Sequence, residues 1–235
     1  MNNLKILVGC HKPCKCPDFV KDNPDIYIPI LAGADVSGLE PFWPGMIKDN
    51  YFDNISWMNP YYSEFTCLYW AWKNYDMIGN PEYIGFNQYS RYLDLTTILP
   101  NLQPDNVFAY ILHTIVTNYE HLWCSEGNDE KLNLVCSTLN DVMKDTTFDA
   151  FMNATVLPAC SIFVAHKDVF HRLMEFLYPF MKQFCVHIEF NEVFDKRNCR
   201  YFSFIFERLL GYFFLLQRFN KLINLNQVNI ITQPQ

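Results

Sequence analysis

The chain has 235 residues, half of them hydrophobic and 17% aromatic, with a formal net charge of −7. So much apolar surface excludes a disordered or low-complexity chain, and the acidic balance argues against nucleic-acid binding, which needs a basic face. Eighteen Lys and Arg residues still leave room for a local phosphate site. The nine cysteines (Cys10, Cys14, Cys16, Cys67, Cys124, Cys136, Cys160, Cys185 and Cys199) are odd in number and scattered. Several stand in apolar runs, where a free thiol behaves as a small hydrophobe. With no secretory leader at the start, a reduced, cytoplasmic chain is expected. Cys10, Cys14 and Cys16 are followed by no second Cys/His pair at finger-like spacing, so no metal site is assigned to them.

Residues 5–10 form a short apolar run ending in Gly9-Cys10 and followed by the polar His11-Lys12-Pro13, the pattern of a buried N-terminal strand opening an α/β nucleotide-binding sheet. Ile26, Ile28 and Ile30 alternate in a second strand that Gly33 closes. Residues 34–57, punctuated by Gly, Pro and Asp, predict a long loop of functional character. A helix is expected over 59–74, with Asn59 as N-cap and Pro60 at its first position. Residues 83–86 predict a strand running into Gln88-Tyr89-Ser90-Arg91-Tyr92, and helices are expected over 106–118 and 130–144. A strand over 161–165, a helix over 167–184 and a last helix over 198–220 complete the chain. The stretch 201–216 is interrupted by Glu207 and Arg208 and is shorter than the roughly 20 residues a bilayer needs, so a buried helix is expected there. Alternating strands and helices point to an α/β class.

Three constellations carry chemistry. In open α/β sheets the ligand crevice lies beyond the carboxyl ends of the strands, and two strands here end in polar groups: Cys10-His11-Lys12 and Gln88-Tyr89-Ser90-Arg91. Lys12 and Arg91 either converge on an anion such as a diphosphate or stand as separate solvated cations. The segment 61–74 carries Glu64 and Lys73 among Tyr61, Tyr62, Tyr69, Trp70 and Trp72. Aromatic faces with a few charges suit sugar binding, while the alternative is plain core packing. On the last helix Arg200, Ser203, Glu207 and Gly211 recur at about one-turn intervals, as a cavity lining or as a buried Arg–Glu pair. Gly-rich phosphate loops, a Gly-x-Ser-x-Gly elbow, a His-Glu-x-x-His helix and a strand-end Asp-x-Asp are all absent.

Six ordered blocks are similar to one bacterial family: Lys5-Ile6-Leu7-Val8 with His11-Lys12-Pro13; Ile28-Pro29-Ile30 with Gly33; Asp53-Asn54-Ile55-Ser56 with Asn59-Pro60; Glu64-Phe65-Thr66 with 69–74; Tyr83-Ile84-Gly85 with Tyr89, Arg91 and Tyr92; and Glu207-Arg208-Leu209. Over nearly the whole chain they resemble the DUF4422 family of capsular and exopolysaccharide glycosyltransferases. The resemblance implies a GT-A-like mixed sheet flanked by helices, with a helical C-terminal part, in a single domain: residues 1–100 as the nucleotide-sugar half and 101–235 as the acceptor side. It implies transfer of a hexose, galactose or galactofuranose, from a UDP-linked donor to a growing capsular, lipopolysaccharide or exopolysaccharide glycan, free or lipid-linked, at the cytoplasmic face of the inner membrane. No nucleic acid and no assigned metal belong to that expectation, although a divalent ion is left open.

Within the resemblance, His11, Lys12, Asp53, Asn54, Trp72, Lys73, Gln88, Tyr89, Arg91 and Ser161 are the expected donor-binding residues. Glu64 or Glu207 is the carboxylate that deprotonates the acceptor if the reaction inverts, and Arg200 and Arg208 line or hold the cleft. The family pattern His-Tyr-Arg-Arg-Tyr is Gln88-Tyr89-Ser90-Arg91-Tyr92 here, and its Asn-Met-Phe-Ile strand is Ser161-Ile162-Phe163-Val164. Stabilisation of the leaving diphosphate therefore falls on Arg91. Two alternatives stand beside the enzyme: a nucleotide- or carbohydrate-binding relative without turnover, and a structural partner in polysaccharide assembly that docks through its aromatic C-terminal helix. For peripheral membrane contact, 213–221 with Arg218 and Lys221 is the best segment, against packing on the domain.

Overall fold

A computed structural model describes residues 3–121, 146–187 and 201–232. The helix expected over 130–144 and the expected site residue Arg200 lie outside them. The strands are β1 (Leu4–Cys10), β2 (Tyr27–Leu31), β3 (Ile47–Lys48), β4 (Tyr83–Gln88), β5 (Arg91–Leu93), β6 (Asn106–His113), β7 (Val156–His166), β8 (Asn224–Gln227) and β9 (Ile230–Thr232). They form one mixed sheet in the order β3-β2-β1-β4-β7-β6-β8, with β5 joining β4 to β9. Strands β1, β2, β3 and β4 run parallel, and β7 turns antiparallel against β4. The α/β expectation, a mixed sheet flanked by helices, is what the chain adopts.

The central strands are apolar on both faces because each face meets a core. The α-helices among the described residues are α1 (Asp18–Lys21), α2 (Ala34–Ser37), α3 (Asn59–Tyr62), α4 (Phe65–Lys73), α5 (Leu95–Ile98), α6 (Thr146–Met152), α7 (Lys167–His187) and α8 (Tyr201–Phe219). Along β1, Leu7 points into a core built with α3, α4, α7 and α8. Ile6, Val8 and Cys10 point into a second core beneath the loops that follow β1 and β2. Gly85 of β4 is obligatory at this packing density, since a Cβ there would lie 2.6 Å from Val164 and 2.7 Å from the Phe163 carbonyl.

Two expectations are corrected. Residues 106–113 are not a helix but strand β6, because Val107 and Ala109 enter one core while Phe108 enters the other. An apolar run that fills both faces has no readable period, so buried strand and buried helix look alike in sequence. The helix expected over 59–74 is two helices, α3 and α4, broken at Ser63 (φ 47°, ψ −128°). Asn59 does not cap: its Nδ2 donates to the Ser63 carbonyl at 2.8 Å and to Thr66 Oγ1 at 3.2 Å, bracing the break from inside. The loop expected over 34–57 also holds α2 (Ala34–Ser37), β3 and a 3-10 turn at Ser56–Met58.

Candidate functional site

Strand β2 leads the chain to one side of β1 while β4 lies on the other, so the sheet reverses its winding between β1 and β4. At such a switch point the loops diverge and leave a crevice. Here it is a cleft of about 580 Å³, lined from β1 by Gly9 and His11, from α2 by Val36 and Ser37, from α3 and the break by Asn59, Pro60, Ser63 and Glu64, and from the β4–β5 turn by Gln88, Tyr89, Ser90 and Arg91. Gly9 lets the buried Phe86 ring pack against this wall, since a Cβ there would sit 2.6 Å from it.

Gln88 and Arg91 are a cross-strand pair at the two-residue turn, which puts both side chains on one face. Arg91 Nη1 donates to Gln88 Oε1 at 2.7 Å, and Gln88 Nε2 donates to Glu64 Oε1 at 3.4 Å. A guanidinium can only donate and a carboxylate can only accept, so the two ends fix the orientation of the amide between them. On the other side of the turn the Tyr89 ring meets His11 edge-on at 5.0 Å and carries the Lys12 ammonium at 5.4 Å. The cleft therefore brings together a carboxylate, an arginine and a histidine, with a lysine over the ring of the lining Tyr89. Of the expected residues, Glu64, His11, Gln88, Tyr89 and Arg91 line the cleft, and Lys12 stands over the Tyr89 ring without lining it.

Glu207, Arg208 and Ser161 form a second group beside the first. Strand β7 bulges: Ala109 faces Phe163 but Ile111 faces Pro158, and Cys160 and Ser161 both adopt left-handed backbone (φ 62° and 54°). Two successive non-glycine residues in that region are costly and need outside support. Glu207 supplies it, with Oε1 accepting from the Cys160 N–H and Oε2 bonded to Arg208 Nη1 at 2.7 Å. Gly211, one turn later, lets α8 lie on the bulge, since a Cβ would come within 3.1 Å of Pro158. The buried stripe on α8 thus grips the sheet, and its ion pair joins neighbours in sequence, Glu207 and Arg208.

The bulge sits beside the cleft. Burial, and then the Glu207 carboxylate, raise the Cys160 thiol to a pKa of about 11, with Arg91 opposing and Glu64 adding to the effect. Ser161 Oγ is buried and has no hydrogen-bond partner among the described residues.

Arg208 Nη2 also meets His121 Nδ1 at 2.7 Å. Burial and the Arg208 charge lower the His121 pKa, against a smaller upward pull from Glu207. The unfolded chain therefore binds a proton near pH 6.5 that the folded chain resists, and stability falls as pH drops below that value. Melting temperatures measured from pH 7.5 to 5.5 are expected to decline less steeply for His121→Gln than for the wild type.

The family model described as a domain of unknown function, DUF4422, matches residues 5–218. The chain belongs to the DUF4422 family. Its fold is similar to that of the WbbM bifunctional glycosyltransferase in its apo structure, with a TM-score of 0.77 and 20% sequence identity. That likeness covers 100% of this chain and 46% of the WbbM chain, so this DUF4422 chain spans less than half the length of the structure it matches. No curated protein matches it.

The loops of the DUF4422 cleft are organised by a residue that sequence reasoning missed. Asp49 is fully buried, and its carboxylate accepts from Gly33 N (2.8 Å), Ala34 N (3.0 Å), Ser56 Oγ (2.5 Å) and Thr66 Oγ1 (2.7 Å). It ties the end of β2, the start of α2, the 3-10 turn and α4 into one unit that forms a wall of the cleft. A lone Asp in a Gly- and Asp-rich loop gives no periodic signal, so only the fold reveals it. Asp53, Asn54, Trp72 and Lys73, in contrast, do not line the cleft. Asp53 accepts from the Tyr69 hydroxyl at 3.1 Å and Asn54 bonds within its own loop, while Trp72 and Lys73 pack together at the far end of α4.

Proposed function

We propose that this DUF4422 chain is a glycosyltransferase whose cleft holds a nucleotide-sugar donor, with the diphosphate on Arg91 and Lys12 and with Glu64 as general base. The observation that carries this is the alignment of Glu64, Gln88 and Arg91 across one crevice at the switch point of the sheet. The fold shared with WbbM and the family resemblance support the same class of reaction. On that family basis the donor is a UDP-linked hexose, galactose or galactofuranose, and the acceptor a surface glycan or its lipid-linked precursor. Residues 1–100 serve the donor and 101–235 the acceptor side.

In the transfer step an acceptor hydroxyl attacks the anomeric carbon while the bond from that carbon to the diphosphate oxygen breaks. The hydroxyl proton passes to Glu64, and the charge developing on the leaving diphosphate meets Arg91 and Lys12. Gln88 holds Arg91 and Glu64 in register before either ligand arrives, which lowers the ordering cost at the moment of reaction. Both Glu207 oxygens are committed, to the Cys160 N–H and to Arg208, so Glu207 is the residue that positions the bulge, while Glu64 lines the cleft in which the acceptor would sit.

A panel of UDP-, GDP-, dTDP- and CMP-sugars tested by thermal shift, with and without chelator, checks the donor. A ligand at 100 times its Kd stabilises by about 2.7 kcal/mol, which is roughly 5–10 °C for a chain of this size. One nucleotide family is expected to give that shift, and UDP-sugars are expected to be that family. Hydrolysis and transfer assays with and without acceptor then separate an enzyme from a binding relative.

For membrane contact, Phe213 and Phe214 of the segment 213–221 are buried in the core against Phe163 and Phe176. Among the described residues no helix is long and apolar enough to cross a membrane.

A further inference from the structure

Trp72 and Lys73, which sequence grouped with the cleft, lie instead with Tyr69, Tyr178 and Lys182. At the end of α4 the rings of Trp72, Tyr69 and Tyr178 pack into a triangle with centroid separations of 5.4 to 6.2 Å. The Lys73 ammonium stands 3.8 Å from the Trp72 centroid and 5.0 Å from that of Tyr178, and Lys182 brings a second ammonium to 4.6 Å from the same Tyr178 ring. A cation–π contact accounts for Lys73 alone. Lys182, which is exposed, puts a second positive charge on the same phenol ring. Neither lysine is ion-paired among the described residues, on a chain whose net charge is −7. Asp53, held on the Tyr69 hydroxyl, adds a hydrogen-bond acceptor at the edge.

We infer that this surface is a second glycan subsite, which binds an acidic sugar residue of an oligosaccharide. The carboxylate of the sugar would pair with the two ammoniums, the apolar face of its ring would lie on the exposed part of the aromatic triangle, and a hydroxyl would donate to Asp53. Two cations on an acidic protein suit one or two carboxylates and not a polyanionic surface such as a nucleic acid or an anionic bilayer. Glu64 immediately precedes α4 and Lys73 ends it nine residues later, a rise of about 14 Å. A glycan chain a few sugars long spans that distance, so the subsite would hold the body of an acceptor whose end lies in the cleft. The identity of the ligand rests on the glycosyltransferase reading; its measurement does not.

The test is calorimetric titration of the full chain with trigalacturonic acid and with its carboxyl-reduced, neutral counterpart. Wild type is expected to bind the acidic trisaccharide at least tenfold tighter than the neutral one, and the double variant Lys73→Gln/Lys182→Gln to lose that preference. The control Lys21→Gln/Lys167→Gln, with the same change in net charge at other exposed sites, is expected to keep it. Circular dichroism melts verify that each variant is folded. Equal affinity for the two trisaccharides, no binding of either, or an equal loss in the control overturns the inference, as does tighter binding to phosphatidylglycerol vesicles than to the trisaccharide. UDP binding, measured on the same samples, stays unchanged in the lysine variants. If UDP fails to bind any of them while the trisaccharide result holds, the donor reading falls and the subsite remains.

Discussion

Asp49→Ala is expected to lower the melting temperature by roughly 8–16 °C. Four donors converge on this buried carboxylate, two backbone N–H groups and two hydroxyls. Removing it leaves at least the two N–H groups unsatisfied among packed groups, at about 1–3 kcal/mol for each. At about 4 kcal/mol, and 2–4 °C for each kcal/mol at this chain length, the stated range follows. The Ser56 and Thr66 hydroxyls can rotate, but the Gly33 and Ala34 N–H groups cannot. Asp49→Asn therefore restores only part of the loss, because its amide turns an N–H toward one of those two. Thermal unfolding followed by circular dichroism reads both variants. The ranking wild type, Asn, Ala is the expected outcome, and equal melting temperatures for all three would show that the carboxylate does not hold the loops.

Glu64→Gln is expected to reduce kcat by about 10²–10⁴ while leaving the KM for donor and the melting temperature close to those of the wild type. The amide keeps an oxygen for Gln88 Nε2 to bond, so the geometry survives and only the basic lone pair is lost. Glu207→Gln behaves differently. It removes the charge beside the buried Arg208 and weakens the hold on the Cys160 N–H, so activity and melting temperature fall together. Steady-state kinetics and melts on the two variants separate a catalytic carboxylate from a positioning one.

Much of the frame was legible because it obeys local rules. Lys5 to Cys10 reads as a strand and forms β1; residues 167–184 and 198–220 read as helices and contain most of α7 and α8. The polar groups at the ends of β1 and β4 announced the cleft, since strand ends are where α/β sheets open. Other features depend on contacts between segments distant in sequence. β6 has no period because Val107 and Phe108 enter opposite cores. The break at Ser63 needs Asn59 turned inward, and the importance of Asp49 needs Gly33, Ser56 and Thr66 gathered around it. Asp53, Asn54, Trp72 and Lys73 share the chemistry of a sugar site with Glu64. Nine residues of helix nevertheless carry Trp72 and Lys73 to another surface, and the loop bonds of Asp53 and Asn54 keep those two out of the cleft.

The central claim is that positive charge at the ends of β1 and β4 receives a diphosphate. Calorimetric titration of UDP into wild type, Arg91→Ala and Lys21→Ala tests it most directly, because Lys21 is an exposed cation paired with Asp18 and is not among the cleft-lining residues. The account predicts that Arg91→Ala weakens UDP at least tenfold, as expected for loss of a charge-assisted contact, while Lys21→Ala binds like wild type. Equal affinities for the two variants would contradict it.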